Sequence, residues 1–460
     1  MRNGGGSRAR GTVARGGWTN NRLGVRGGRS NHALDPLLSL PKGELLGQIT
    51  SSDAQSSDQF DDVDPVIKDC QYMASYNWLN TQEAKILVPG APPVWNPPKE
   101  RPRLSQDEGE FFRDPNAARF PRFPAEPGIR AVLALHPDFE GDPIDVVGCG
   151  STMGNLLRFA GSKDWSFRFY VEQIGRTVFL VRREKSPTEL IEGVWGYGHT
   201  FPEAYTTWDA TVKGSVSHQR LIKYDFGGMK CLVRSESDGY LKEKVLPGSD
   251  TPMIAPSSTK QPADEDLSAL LQAAQSIAVS EHAANQNAPL TMEMTGSEVP
   301  QNAVFDLKTR SARKEFDMEE VYPRLWVNQT PNFIIAYHVA GNFKSIQVQD
   351  VRANIKDWEK SNKERLRRFG VTLRLLIKAV KESENNKIEI RRIGLGPLQI
   401  RKPIEQTWST LPPDLEERWL RNPASSRLKV QGSSSATKEG EGEEVDSGHD
   451  SDGLDNQFEV

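Results

Sequence analysis

Four charged residues in two short strings carry the chemistry this chain is equipped to do. Glu236-Ser237-Asp238 lies in CLVRSESDGYL and Asp306-Leu307-Lys308 in VFDLKTRS, and both stretches read as β-strands. In a strand, residues i and i+2 point to one face. Glu236 and Asp238 therefore share a face, as do Asp306 and Lys308, with Phe305 and Leu307 alternating as apolar support. Three carboxylates and a lysine on adjacent strands meet the demands of metal-assisted phosphodiester cleavage: carboxylate oxygens hold Mg²⁺ or Mn²⁺, and the lysine steers a water nucleophile. The competing reading is bland. E-x-D and D-x-K arise by chance in a charged chain, and alternating charges on an exposed strand form a solvated face.

Composition says how much of the chain can position those strands. The chain has 460 residues, a length that suggests about three domains at ~150 residues each if every residue folds. Residues 1–34 hold seven arginines before the first acid, Asp35, in a glycine background; such a stretch cannot bury enough apolar surface to offset its ordering entropy. Residues 1–60 are thus expected to be a disordered Arg/Gly-rich tail. Beyond Ser425 the chain turns Ser/Gly-rich and then acidic, with Glu439, Glu441, Glu443, Glu444 and Asp446 leading the run, so 425–460 is expected to be a second disordered tail. Residues 247–300, rich in Ser, Pro, Ala, Asn and Gln, read as a low-complexity insertion whose one helical pattern, at Leu267, Leu270, Leu271 and Ala274, is marginal alone. A single core across 66–424 remains.

Several function classes drop out. A net charge of −4 and a pI near 6.1 argue against a bulk electrostatic nucleic-acid binder. The Arg/Gly tail reads either as an arm for RNA or RNA-processing proteins or as a flexible soluble tail, with the acidic tail a second candidate for protein partners. Cys70, Cys149 and Cys231 are odd in number and far apart, which favours a reducing compartment over disulfides or zinc. Seven histidines form no H-x₃₋₅-H pair, so catalytic zinc is disfavoured. No run of about 18 apolar residues predicts a membrane span. The start lacks an apolar h-region, so the Asn328-Gln329-Thr330 sequon is expected to stay unglycosylated. Glycine content weakens a mitochondrial transit reading of the Arg-rich start, leaving nucleus or cytoplasm. Asp61-Asp62-Val63-Asp64 lacks D-D-x-x-D spacing, and Pro65 breaks a helix there. No P-loop or Ser/His/Asp signature is present.

Along the core, the aromatic patch Tyr72, Tyr76 and Trp78, followed by the proline-rich run to Leu104, predicts an extended strap docked on the core. GIRAVLAL and DPIDVVGCG read as β segments and STMGNLLRFA as a helix capped by Ser151. WSFRFYVEQIG and RTVFLVRRE predict a hairpin turning at Gly175. The segment around Glu203 reads as a loop. LIKYDFGG and MKCLVRSESDGYL form a strand pair with a turn or bulge at Gly227-Gly228. VYPRLWVNQTPN predicts a helix leading into the strand FIIAYHVAG. Val351 to Val380 traces one long helical region whose Arg365, Arg367, Arg368 and Lys378 read as a solvated face. The order gives an α/β (α+β) fold, a mixed β-sheet core flanked by helices.

At this point the chain resembles the DXO/Rai family of RNA decapping enzymes and 5′-exonucleases, built on the PD-(D/E)XK nuclease fold. The likeness spans about residues 145–385 and keeps one order: DWSFRFYVEQIGRTVFLVRRE, GYGHTFPEAY, FGGMKCLVRSESDGYL, FDLKTRS and LWVNQTPNFIIAYH. Five motifs in sequence are far more specific than any one. The resemblance implies that Glu236, Asp238 and Asp306 ligate Mg²⁺ or Mn²⁺, that Glu203 completes the metal shell, and that Lys308 orients the attacking water or bears on the scissile phosphate. It further implies that Gln329 contacts the coordinated water or the phosphate, and that the substrate is the 5′ end of RNA.

The departures are specific. Asp306 stands where the family carries glutamate, Ser237 replaces an apolar residue, and the spacing from glycine to Glu203 is stretched. Where the family begins its substrate-facing helix with Arg-Gly, this chain has Cys149-Gly150, and cysteine cannot imitate a bidentate guanidinium. Either Arg158 reaches the site from the next turns of that helix, or the 5′ end is held differently, or catalysis is gone. In the last case the protein is a nuclease-fold interaction module working with RNA-processing partners.

Overall fold

The computed structural model describes residues 40–55, 64–139, 144–191, 194, 196–245, 289–404 and 408–420. Most of the two expected tails, and residues 247–288 of the expected insertion with its helical pattern, lie outside them. The strands are β1 (Leu45–Ile49), β2 (Ile67–Leu79), β3 (Lys85–Gly90), β4 (Val94–Trp95), β5 (Val146–Cys149), β6 (Phe167–Ile174), β7 (Thr177–Arg182), β8 (Thr206–Thr207), β9 (Ser215–Phe226), β10 (Met229–Glu236), β11 (Gly239–Tyr240), β12 (Thr291–Gly296), β13 (Val304–Ser311), β14 (Asn332–Val339), β15 (Asn342–Asp350), β16 (Lys387–Arg392) and β17 (Leu398–Arg401). The α-helices are α1 (Pro115–Arg119), α2 (Glu126–Leu135), α3 (Gly150–Ala160), α4 (Thr200–Tyr205), α5 (Tyr322–Asn328), α6 (Arg352–Ser361), α7 (Lys363–Lys381) and α8 (Pro413–Leu420).

Eleven strands form a mixed sheet in the order β1-β17-β16-β6-β7-β5-β10-β9-β2-β3-β12, and six form a second in the order β15-β14-β13-β11-β4-β8. The large sheet is covered on both faces, which is why its strands are apolar on both. Phe167, Phe169 and Val171 of β6 enter one core with α3, α5, α6 and α7. Tyr170 and Ile174 enter the other, with α2 and α8. Along α7, Leu366, Phe369, Leu373, Leu376 and Val380 repeat at three and four residues and are all buried, the stripe of a helix lying on a sheet. The result is a mixed α+β fold with large mixed sheets and helices.

Two hairpins follow the sequence pattern. β6 and β7 pair antiparallel across Gly175, at φ +61°. β9 and β10 are joined by Gly227 and Gly228, both at positive φ, as a two-residue turn of the twist-matching kind requires.

Other expectations are corrected. The aromatic strap is instead β2, a strand inside the large sheet between β9 and β3. Its Trp78 is 1% exposed and, like Tyr76, donates to Asn116 Oδ1; satisfied polar tips let both rings be buried. GIRAVLAL is helix α2, because Ile129, Val132 and Leu133 recur at helical spacing behind Pro127 in the first turn. Residues 291–296 of the expected insertion form β12, which pairs in parallel with β3. Residues 45–49 of the expected first tail form β1, paired with β17. Cys149, not Ser151, is the N-cap of α3. The long helical region is two helices that part at Asn362. Arg365 is half-buried and donates to Leu157 O rather than facing water. Among the described residues no helix is long and apolar enough to cross a membrane.

Candidate active site

The chain leaves the large sheet at the end of β10 and enters the small one at β11, and the E-S-D string is that passage. Glu236 pairs with Gln219 in the large sheet, whereas Gly239 pairs with Phe305 of β13 in the small one. Buried Ser237 makes the step, its N–H donating to His218 O. Glu236 and Asp238 therefore do not share one strand face as the alternation predicts. They flank a seam, and β13 brings Asp306 and Lys308 to it.

Backbone pairing sets the closest contact. The Leu307 N–H donates to Asp238 Oδ2 at 2.6 Å, which lays that carboxylate beside Asp306, itself 8% exposed. Burial and then the neighbouring Asp306 push the Asp238 carboxyl up to about 7, with Glu236 adding to the rise and Arg324 and the Leu307 N–H opposing it. Glu236 is solvent-exposed, yet desolvation is the largest influence raising its carboxyl, joined by Asp114 and Asp306 and opposed by Arg234. Arg324 and then burial lower the Lys308 ammonium, against the pull of Asp306 and Asp238. Glu236, Asp238, Asp306 and Lys308 thus lie within one electrostatic neighbourhood.

The cation in that neighbourhood is one the sequence pattern did not single out. Arg324 of α5 donates from Nη2 to Asp306 Oδ1 at 2.5 Å. Nothing in YPRLW marks it, because the pairing is set by how α5 crosses between β13 and β14, which pair in parallel.

The remaining expected site residues are placed differently. Glu203 lies in the first turn of α4, whose start is fixed by Asp107 accepting from the N–H groups of Gly198, His199 and Thr200. Phe201 and Tyr205 face the core, so Glu203 points outward. It is exposed, and burial alone raises its carboxyl; no charge of the seam bears on it. Gln329 is the left-handed C-cap of α5, and its Nε2 donates to Trp326 O, closing its own helix.

Arg158 lies half-buried over the Trp165 ring at 4.8 Å and donates to Asn155 Oδ1. Burial and the nearby Arg324 lower its affinity for a proton. Gly150 is required sterically, since a Cβ there would lie 2.1 Å from Asn328 Oδ1. Among the described residues that buried oxygen has no hydrogen-bond partner.

Cys149 is buried, with Sγ 3.1 Å from Ser151 Oγ and 3.2 Å from Thr152 Oγ1. Burial pushes its thiol up, but Arg234, the two hydroxyls and Arg182 together outweigh it and bring the thiol below its ordinary value. Arg234 is the cross-strand partner of Cys149 in the β5–β10 register. Both line a cavity of about 80 Å³ together with Asp114 and Arg182. A signal for Arg234 was present: it precedes Glu236 by two residues on one strand.

Among the described residues no three Asp, Glu, His or Cys side chains are gathered closely enough to share a metal ion. The donor set nonetheless suits a hard divalent ion in kind. Its ligand atoms are carboxylate oxygens, and the rise that Asp306 and Glu236 impose on the Asp238 carboxyl is of the kind a cation relieves.

A family profile described as "Domain of unknown function (DUF8563)" matches residues 58–390. No curated protein matches the chain. Among solved structures it is similar to S. pombe Rai1, at 11% identity over 78% of this chain and 99% of that one, with a TM-score of 0.48. It is similar to Candida albicans Rai1 in complex with pU5-Mn²⁺, at 11% identity over 82% and 98% with a TM-score of 0.44. It is also similar to K. lactis Dxo1 in complex with manganese, at 8% identity over 79% and 97% with a TM-score of 0.42.

Proposed function

The chain belongs to the family described as a domain of unknown function, DUF8563, and within it we propose a divalent-metal-dependent hydrolase of RNA 5′ ends on a PD-(D/E)XK-like core. Decapping, pyrophosphate removal and 5′-3′ exonucleolysis are the activities of that type. The observation that carries the proposal is the Asp238 carboxylate held by the Leu307 N–H, between Asp306 and Lys308 along β13, where β10 passes into β11. The five ordered motifs around them support RNA ends as the substrate class.

In this reading Glu236, Asp238 and Asp306 would hold Mg²⁺ or Mn²⁺, which would supply Lewis-acid stabilisation of charge on the phosphoryl oxygens. Lys308 directs its N–H groups at the attacking water or the scissile phosphate, from a strand position fixed by pairing with both β11 and β14. Arg158, stacked on Trp165, adds positive charge from α3 toward the substrate's phosphates. Gly150, at the start of α3, lets that helix approach Asn328 of α5. Cys149 and Arg234 lie side by side where the family's Arg-Gly would put a guanidinium, so Arg234 supplies that charge from the neighbouring strand. Glu203 and Gln329 reach the centre only if α4 and the α5 cap rearrange.

The Arg324–Asp306 pair favours a second reading, in which the fold persists as an interaction module with a guanidinium in place of the metal. One assay separates the two. Purified full-length protein is given 5′-monophosphate, 5′-triphosphate and capped RNA with Mn²⁺ or Mg²⁺, alongside Asp238→Ala and Lys308→Ala. The hydrolase reading expects 5′-end products that fall about 100-fold or more in each variant, the scale of losing a preorganised charged group. No product, or product indifferent to both substitutions, refutes it.

A further inference from the structure

The large sheet ends in edge strands β1 and β12, the small one in β15 and β8. Bulges, shortness, charge and cover are the devices that keep a sheet edge from pairing with another chain. β1 has a register break between Leu45 and Gly47, β8 is two residues long, and β12 bears charged Glu293 and is tied to Thr211 O through Thr295 Oγ1. Beyond a register shift near Lys344, β15 lacks such protection: Ser345-Ile346-Gln347-Val348-Gln349 holds no charge, proline or glycine. Its edge is also open. The Val351 N–H donates to Pro331 O, so Val351 faces β14, and alternation turns the N–H and C=O groups of Ile346 and Val348 the other way. Among the described residues none of those groups has a hydrogen-bond partner.

The side chains beside these groups are apolar. Ile346 and Val348 lie opposite Ala336 and Ile334 of β14, both in the core of the small sheet, and that core ends with Val348 46% exposed. Positive charge flanks the shelf. Arg101 donates to Lys344 O and Arg103 to Ala340 O, which brings two exposed guanidiniums, beside the exposed Lys344 ammonium, to the start of β15; Glu100 is the acid in that stretch. At the far end Asp350 is outnumbered by Lys244 and Arg352.

We propose that the edge of β15 from Ser345 to Gln349 is a docking site for an extended acidic segment of another protein, which adds a strand to the small sheet. The incoming backbone pairs with the N–H and C=O groups of Ile346 and Val348, its alternate apolar side chains cover those two residues, and its acids meet Arg101, Arg103 and Lys344. Charge decides against a second copy of β15, because two-fold pairing would bring positive ends together. RNA phosphates would meet the same cations, but they offer no donors to the two open carbonyls and no apolar cover for Val348. The inference is independent of any reading of the carboxylate seam.

The test is fluorescence anisotropy of a labelled synthetic peptide, an aspartate run followed by alternating valine and threonine, titrated with the full chain at about 0.3 M salt to screen loose charge attraction. Binding with a Kd of about 10–100 μM is expected, weakened about tenfold or more when lysines replace the aspartates or when alternate backbone nitrogens of the peptide are methylated. Val348→Pro removes an outward N–H and no bond to β14, and it should weaken binding about tenfold; so should Arg101→Glu combined with Lys344→Glu. If Val348→Pro does not fold, the methylated peptide asks the same question of the parent chain. No binding at about 1 mM peptide, equal binding of the methylated peptide, or binding indifferent to both sets of substitutions overturns the proposal. So does oligouridylate that binds in place of the peptide and is lost with the Arg101 and Lys344 substitutions, which would make the edge an RNA surface.

Discussion

Replacing Asp238 by Asn should stabilise the metal-free protein above neutral pH, the opposite of what altering a half-buried, hydrogen-bonded side chain usually does. Asn keeps a carbonyl oxygen to accept the Leu307 N–H and removes the charge that burial and Asp306 oppose. Moving the carboxyl from 3.8 to about 7 corresponds to about 4 kcal/mol, at about 1.4 kcal/mol per tenfold change in proton affinity. Water reaching the seam screens this, and an effect of about 1–3 kcal/mol is expected. Because the folded state binds this proton more tightly than the unfolded chain, the native protein is favoured below the unfolded value. That advantage erodes as pH rises from about 4 to about 7. In urea melts with EDTA, Asp238→Asn should exceed the parent chain at pH ~8 and the gap should close toward pH ~4. Mn²⁺ should reverse the ranking, stabilising only the parent by mass action. A variant less stable than the parent at high pH in EDTA, or a gap unchanged with pH, would refute the electrostatic reasoning.

Two further substitutions test the scaffold beneath the site. Gly150→Ala places a Cβ 2.1 Å from Asn328 Oδ1, and since that amide is buried, a loss of about 1–3 kcal/mol is expected in denaturant melts; an unchanged midpoint would show that α3 and α5 part freely. Trp78→Ala empties a fully buried site and strips one donor from Asn116, so a loss of about 3–5 kcal/mol is expected. A loss under about 1 kcal/mol there would mean that β2 is not part of the cooperative core.

Local pattern was sufficient where neighbours in sequence decide the structure. The hairpin at Gly175, the turn at Gly227-Gly228, helix α3 after the β5 strand, and the path from α5 into β14 all follow from periodicity and from glycines that tolerate positive φ. The candidate residues Glu236, Asp238, Asp306 and Lys308 stand out in the sequence because acids and a lysine alternate with apolar support. Pattern was weaker where a short apolar run fits two periods, as in α2, or where composition masks a strand completed by a distant partner, as in β1 and β12. Strands β15, β16 and β17 left no assigned signal because their pairing partners lie far away or, as in β15, most of the strand is exposed.

What the sequence by itself determined is the stock of reactive groups and their order along the chain, since residue type and spacing are local properties. The tertiary structure alone decided how they meet. Ser237 carries the chain from one sheet to another, so Glu236 and Asp238 belong to different sheets instead of one strand face. Glu203 turns outward because Phe201 and Tyr205 claim the core side of α4. Arg324 arrives on Asp306 from a helix eighteen residues away, and Arg234 stands beside Cys149 through strand register. Coulombic neighbours are set by distance through space, and no spacing along the chain encodes that distance until the sheets are assembled.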